Sequence, residues 1–380
     1  MLSFKHSLLV GFACAAFHQR IKSGGGRVQF DLTCNNTAVV CSQVKRVIFA
    51  AGESLDNVIV ITNPITVSVN YYNFCDGNEK CSSGAIGVGS LNKIELGGNH
   101  KNYSYPQALV KQMGFERMVD GTIEKYDIYI SLNSQHKFQM AGKVNFTSEE
   151  YSLASVVAHE LLHGLGFLCS FGGLDFEQNL VKPHHEIDDN DQLRFTETIF
   201  DSHLYIRETE KPLSSIIDRL NSLPKITKPQ NESALLYPPY IEPISELSTL
   251  LTTPNSIYFL TNDNSRVYIE TGLKQYSPGS TLKHLDQSYF FAKDYTMIQH
   301  ATRGEGIDSI SSYLGWYTAP YGPLTIEVLA TLGYTVKKPT WGHSLGGIVQ
   351  LLRQDKTFAQ EIDQLIGLSP ETEVKAKDIQ

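Results

Sequence analysis

Residues 158–167 read Ala158-His159-Glu160-Leu161-Leu162-His163-Gly164-Leu165-Gly166-Phe167, an H-E-x-x-H pattern with a glycine three residues after its second histidine. The surrounding apolar residues, Leu153, Val156, Val157, Leu161, Leu162 and Leu165, recur at three- and four-residue intervals, the spacing of one buried helix face. Thr147 and Glu150 stand three apart just before this run, as in a capping box, which predicts a helix over 148–165. Gly166 is suited to end it, because glycine enters the left-handed conformation without a Cβ penalty. Positions i and i+4 of a helix lie one above the other, so His159 and His163 can offer two imidazole nitrogens to one zinc ion at about 2.0–2.1 Å. Glu160, beside His159, is then the candidate general base. Zinc lowers the pKa of a bound water to about 7, and a carboxylate can carry that water's proton to the leaving amine.

A catalytic zinc keeps three protein ligands and one open position, and the helix supplies two. The short metzincin pattern, H-E-x-x-H-x-x-G-x-x-H, would put the third at position 169, where this chain has Cys169. A thiolate there would weaken the Lewis acid, and the other role open to Cys169 is a free thiol in the core. Glu197-Thr198-Ile199-Phe200-Asp201 has the E-x-x-x-D form by which thermolysin-like enzymes supply a glutamate, but that choice leaves Gly166 without a role. His184 and His185 lie in the charged stretch 182–194 and are expected to be solvated.

Elsewhere, Val44, Val47, Ile48 and Ala51 have helical spacing, whereas Ile65, Val67, Val69 and Tyr71, and later Ile128, Ile130 and Leu132, alternate as in strands. The glycine-rich stretch Gly84–Gly98 between them reads as loop. Residues 170–283 are polar and punctuated by Pro224, Pro229, Pro238, Pro239 and Pro243, which predicts an irregular insertion. It contains a hairpin, Ile257–Leu260 and Val267–Ile269, turning at Thr261–Ser265. Leu324–Leu332 before Gly333 reads as a helix with a glycine cap, and Ile348, Leu351, Leu352, Ile362, Leu365 and Ile366 as a final amphipathic helix or helix pair.

Gly279-Ser280-Thr281-Leu282-Lys283-His284-Leu285-Asp286 is followed by Asp294-Tyr295-Thr296-Met297, Pro320-Tyr321-Gly322-Pro323-Leu324-Thr325 and Leu332-Gly333-Tyr334. Together with the H-E-x-x-H helix, these segments resemble the leishmanolysin-like metzincins, in which a long insertion separates the helix glycine from the third histidine and a Met-turn precedes a C-terminal helix. The resemblance covers roughly residues 125–335. It implies His159, His163 and His284 as ligands of one catalytic Zn2+, Glu160 as general base, Gly166 as the helix-ending turn and Met297 as the Met-turn methionine. A split third ligand accommodates the departure at Cys169. Asp286 is a candidate to orient an imidazole.

The implied fold is α+β, a two-lobed metzincin-like peptidase with a long irregular insertion before its third ligand. The expected organisation is a signal peptide over 1–15, an upper α+β subdomain over 16–167 ending in the zinc helix, an insertion and lower subdomain over 168–335, and a helical tail over 336–380. The signal is read from Lys5 and His6, the apolar run Leu8–Phe12 and the small-x-small triplet Ala13-Cys14-Ala15. Sequons at Asn35, Asn102, Asn145 and Asn231 fit a glycoprotein on that route. With Cys14 removed, Cys34 with Cys41 and Cys75 with Cys81 can form local disulfides, cross-pairing being equally open, and Cys169 is left over.

With 41% hydrophobic and 19% charged residues, the 380-residue chain is a folded protein and not a disordered one. A net charge of −8 with no Lys/Arg cluster argues against nucleic acid, and no stretch of about 18 apolar residues offers a transmembrane segment. The expected function is that of a monomeric, secreted or cell-surface zinc endopeptidase acting on protein or peptide substrates. The alternatives are an inactive or adhesive zinc-binding protein and a zinc hydrolase acting on something other than peptides.

Overall fold

The computed structural model describes residues 17–76, 85–96, 103–119, 122–140, 147–171, 173–175, 180–187, 192–224, 238–301, 303–304 and 320–337. The expected signal, the sequons at Asn102, Asn145 and Asn231, Cys81 and the expected tail helix lie outside them. The largest sheet among the described residues has five strands, β1 (Phe17–Ser23), β2 (Val28–Cys34), β3 (Ile65–Tyr72), β4 (Gly87–Leu91) and β5 (Ile128–Asn133), in the order β1-β2-β3-β5-β4. The three central strands run parallel, with β1 and β4 antiparallel at the edges. Parallel neighbours need a crossover, and α1 (Ala38–Val58) provides it between β2 and β3. Thr37 caps α1 by accepting the Val40 N–H, and the Cys34–Cys41 disulfide ties its first turn to the end of β2. Cys75 is also disulfide-bonded, to a partner outside the described residues.

Alternation in β3 and β5 buries Ile65, Val67, Val69, Ile128, Ile130 and Leu132. The glycine-rich segment expected as loop is instead partly strand, with β4 pairing along β5 from Gly87↔Leu132 to Leu91↔Ile128. Backbone pairing needs no side chains, and here their absence is required. A Cβ on Gly89 would stand 2.6 Å from the carbonyl oxygen of Glu160, and one on Gly87 2.7 Å from its carboxylate. Glycine in a strand marks the close approach of another backbone, and that backbone is the H-E-x-x-H helix.

This helix, α2, spans Leu153–Gly164 and packs against α1, β4 and β5. It starts later than 148 because Tyr151 and Ser152 are taken up in pairing with Phe138 and Gln139. Ser152 caps it, accepting the Ser155 N–H at 3.3 Å. Glu150 does reach back to the Thr147 N–H, but the pair closes a turn upstream of the helix. At the other end Gly166 has φ 113°, the Phe167 N–H bonds to Leu162 O and the Gly166 N–H to His163 O, which is a Schellman ending.

The stretch after α2 is less irregular than its prolines suggest. It holds helices Ser214–Ser222 and Pro238–Leu250 and a three-stranded antiparallel sheet of Leu204–Ile206, Ile257–Leu260 and Arg266–Tyr268, whose last two strands form the expected hairpin. Pro238 and Pro239 begin a helix, since its first N–H groups have no partner to lose. One hydrophobic core runs from Ile21 to Tyr334. α3 (Pro323–Leu332) ends at Gly333, and the Tyr334 hydroxyl donates to Leu165 O at 2.9 Å, tying it to the end of α2. No helix among the described residues is long and apolar enough to cross a membrane.

The seat of α2 on the sheet depends on Gly164, where a Cβ would stand 2.2 Å from Cγ2 of Ile128. Gly164→Ala is therefore expected to cost roughly 1–3 kcal/mol through overpacking. Urea denaturation reads the loss directly, and an unchanged midpoint would contradict this close approach.

Candidate metal centre

His159 and His163 project from one face of α2, and the chain returns far downstream to set His284 against them. Among the described residues these three form the cluster able to hold a metal ion, their candidate ligand atoms lying within 4.8 Å of one another. Nε2 of His159 is 3.1 Å from Nε2 of His163 and 3.1 Å from Nε2 of His284. The His159 and His284 rings are stacked, and His163 stands nearly perpendicular to both.

The opposite nitrogen of every ring meets a backbone carbonyl. His159 Nδ1 lies 2.6 Å from Thr296 O, His163 Nδ1 2.8 Å from Phe167 O, and His284 Nδ1 3.0 Å from Ser280 O. A carbonyl can only accept, so each Nδ1 carries the proton and each Nε2 is left with a lone pair. Burial lowers the pKa of all three rings, His163 to about 3, with His159 adding to the effect on the other two. The rings are therefore neutral, and three lone pairs converge with no proton between them. Nitrogen ligands of a tetrahedral zinc at about 2.05 Å stand about 3.3 Å apart, close to the spacing found here. The donor set fits Zn2+: three neutral imidazoles, each oriented by a second partner.

Local structure explains the anchors. The left-handed turn at Gly166 folds the chain back so that the Phe167 carbonyl reaches His163. Thr296 belongs to the tight turn Tyr295–Met297, whose methionine is wholly buried. In the same turn the Met297 carbonyl accepts the Leu285 N–H at 2.8 Å, so one turn braces both His159 and the segment bearing His284. Leu282, at φ 61°, supplies the bend before that histidine.

Glu160 is buried along β4, where burial pushes its carboxyl up to about 8 while the Gly89 N–H pulls it back. A cleft of about 710 Å³ opens over the histidines, between β4 on one side and residues 277–301 on the other.

The other sequence candidates lie elsewhere. Cys169 is a buried free thiol, pushed up to about 12 by burial, with Sγ 3.5 Å from Phe171 O. Thr198 Oγ1 donates to Leu168 O, and Asp201 accepts the Ser170 N–H at 3.0 Å, which fixes the segment around Cys169 outside the cluster. Glu197 sits in a short strand paired with Tyr103, not on a helix, and neither it nor Asp201 joins the histidines. His184 is exposed, His185 is half-buried rather than solvated, both stand apart from the cluster, and Asp286 caps the turn 287–291 by accepting the Ser288 N–H. Asn35 is exposed. Sequence reasoning missed the three carbonyl anchors, the strand at Gly87–Leu91 and the place of Lys283 in the cleft wall. Only β4 left a signal, in its alternating glycines.

A family model described as SPBPB7E8-like matches residues 12–188 and 186–348. A Schizosaccharomyces pombe protein named Uncharacterized protein PB7E8.01 is 31% identical over 154 residues, which is 38% of this chain and 26% of that protein. The matched region thus spans about a quarter of that relative's length. No solved structure matches the chain.

Glu197 gives a test of the packing behind the site. Burial and the neighbouring Asp201 push its carboxyl up to about 8, while Ser214 Oγ donates to it at 2.7 Å. A carboxyl whose folded pKa is raised favours the native state below its unfolded value, near 4.3, and that contribution is lost as pH rises to about 8. Glu197→Gln should thus gain stability relative to wild type between pH 4 and pH 9, by roughly 2–5 kcal/mol. Parallel pH dependences in thermal or urea unfolding would refute the shift.

Proposed function

The chain belongs to the SPBPB7E8-like family, and we propose that it is a zinc-dependent endopeptidase of metzincin type that works outside the cell. One observation carries the reading: three Nδ1-anchored imidazoles turn their Nε2 lone pairs to a common point beside a buried glutamate. The turn glycine, the late third histidine and the buried methionine turn support the resemblance to leishmanolysin-like metzincins. Cys34–Cys41 supports secretion, since disulfides persist in oxidising compartments.

Zinc held by His159, His163 and His284 would supply Lewis-acid chemistry, acidifying a water and polarising the scissile carbonyl. The protein's own groups do the rest. The outer edge of β4 has no strand partner among the described residues, and apart from the Gly89 N–H, which meets Glu160, an extended peptide can add to it as a further strand. Glu160 takes a proton from the attacking water on a carboxylate oxygen as the new C–O bond forms. It then gives that proton to the departing amine nitrogen as the C–N bond breaks. Burial strengthens the ionised carboxylate as a base, since it raises the pKa.

Glu160→Gln should retain one zinc per chain by elemental analysis and lose peptide hydrolysis by about 100-fold or more. Normal cleavage by this variant would remove Glu160 from the mechanism. His284→Ala should release zinc and Cys169→Ser should not, and the reverse pair of results would overturn the ligand set.

A further inference from the structure

Among the described residues lining the cleft, Glu160 and Lys283 are the Asp, Glu, Lys or Arg side chains. Lys283 is half-buried. Its ammonium donates to Pro278 O at 2.6 Å, which engages one of its three N–H groups. It has no carboxylate partner among the described residues. Lys283 precedes His284 directly in the chain and lines the same cleft as the three histidines. Next to it the wall is open: a Cβ added to Gly279 would meet no atom within 4 Å. A half-buried cation with spare donors, in the wall of the cleft that holds the three histidines and beside the open space at Gly279, suits an anion brought by the substrate. Charge-assisted N–H···O− bonds are about twice as strong as neutral ones.

We propose that Lys283 makes this cleft select peptides carrying a carboxylate close to the scissile bond, on an acidic side chain or at the peptide's own C-terminus. The inference rests on the peptidase reading of the site, of which it names the substrate class. Lys283 acts here as a specificity-determining residue, holding substrate through its ammonium.

The test uses the zinc-loaded full chain. Cleavage of a mixed library of quenched fluorescent peptides locates the scissile bond. Matched peptides are then compared with Glu or Gln at each of the three positions on either side of that bond, and with free or amidated C-termini. Binding is read without turnover, by fluorescence anisotropy on Glu160→Gln. The carboxylate peptide should bind about tenfold or more tightly than its neutral twin, and this advantage should shrink as salt rises. The Glu/Gln and free/amide arms tell the side chain from the chain terminus. Introduced into Glu160→Gln, Lys283→Met should bring the ratio near one, Lys283→Glu should favour a Lys-bearing peptide, and Lys283→Arg should keep the preference, with zinc content unchanged in all three. A wild-type protein that cuts peptides without regard to carboxylates, or a preference that survives in Lys283→Met, overturns the proposal and leaves the peptidase reading standing. A wild-type protein that cuts no library peptide overturns both.

Discussion

Three hydrogen bonds from imidazole Nδ1–H to backbone carbonyls govern this structure. Each fixes one ring's tautomer and orientation, and together they aim three Nε2 lone pairs at one point. In a polar protein interior such lone pairs would find donors. Here two of the contacts are Nε2 to Nε2 at 3.1 Å, an arrangement that is repulsive until a cation divides it. His159 and His284 stand 125 positions apart in sequence, so the fold has to bring distant segments to within tenths of an ångström. The turn Tyr295–Met297 achieves this by holding both.

The helix under the cluster is fixed by absences as much as by contacts. Gly164 lets it lie on Ile128, and Gly87 and Gly89 let the edge strand lie on Glu160. A side chain at any of these would push the helix away from the sheet and carry two of the three histidines with it. Burial between helix and strand also raises the Glu160 carboxyl, so the packing that positions the residue also tunes it. Behind the site, Asp201 and Thr198 fasten the backbone that follows the helix, and the Phe167 carbonyl anchoring His163 belongs to that backbone.

Much of this was legible in the residues. Helical spacing marked α2, alternation marked β3 and β5, and Gly166 and Gly333 marked two helix ends, because burial periodicity and left-handed glycines are written locally. The start of α2 was misread because Thr147 and Glu150 do bond to each other, yet Tyr151 and Ser152 are claimed by a strand partner that local rules do not see. Gly87–Leu91 read as loop because its glycines answer to a helix more than sixty residues away. The carbonyl anchors have no side-chain signature at all: any residue could stand at Phe167, Ser280 or Thr296 and offer the same oxygen. The third histidine was reached by resemblance, since spacing alone left Cys169 and Glu197 open.

In the proposed function three histidines, and no cysteine, hold the zinc ion. X-ray absorption at the zinc edge of the purified protein tests it most directly. Three imidazoles should give nearest neighbours that are light atoms at about 2.0–2.1 Å, with the imidazole pattern at longer distance. A sulfur at about 2.3 Å, or a protein that takes up no zinc, would contradict it.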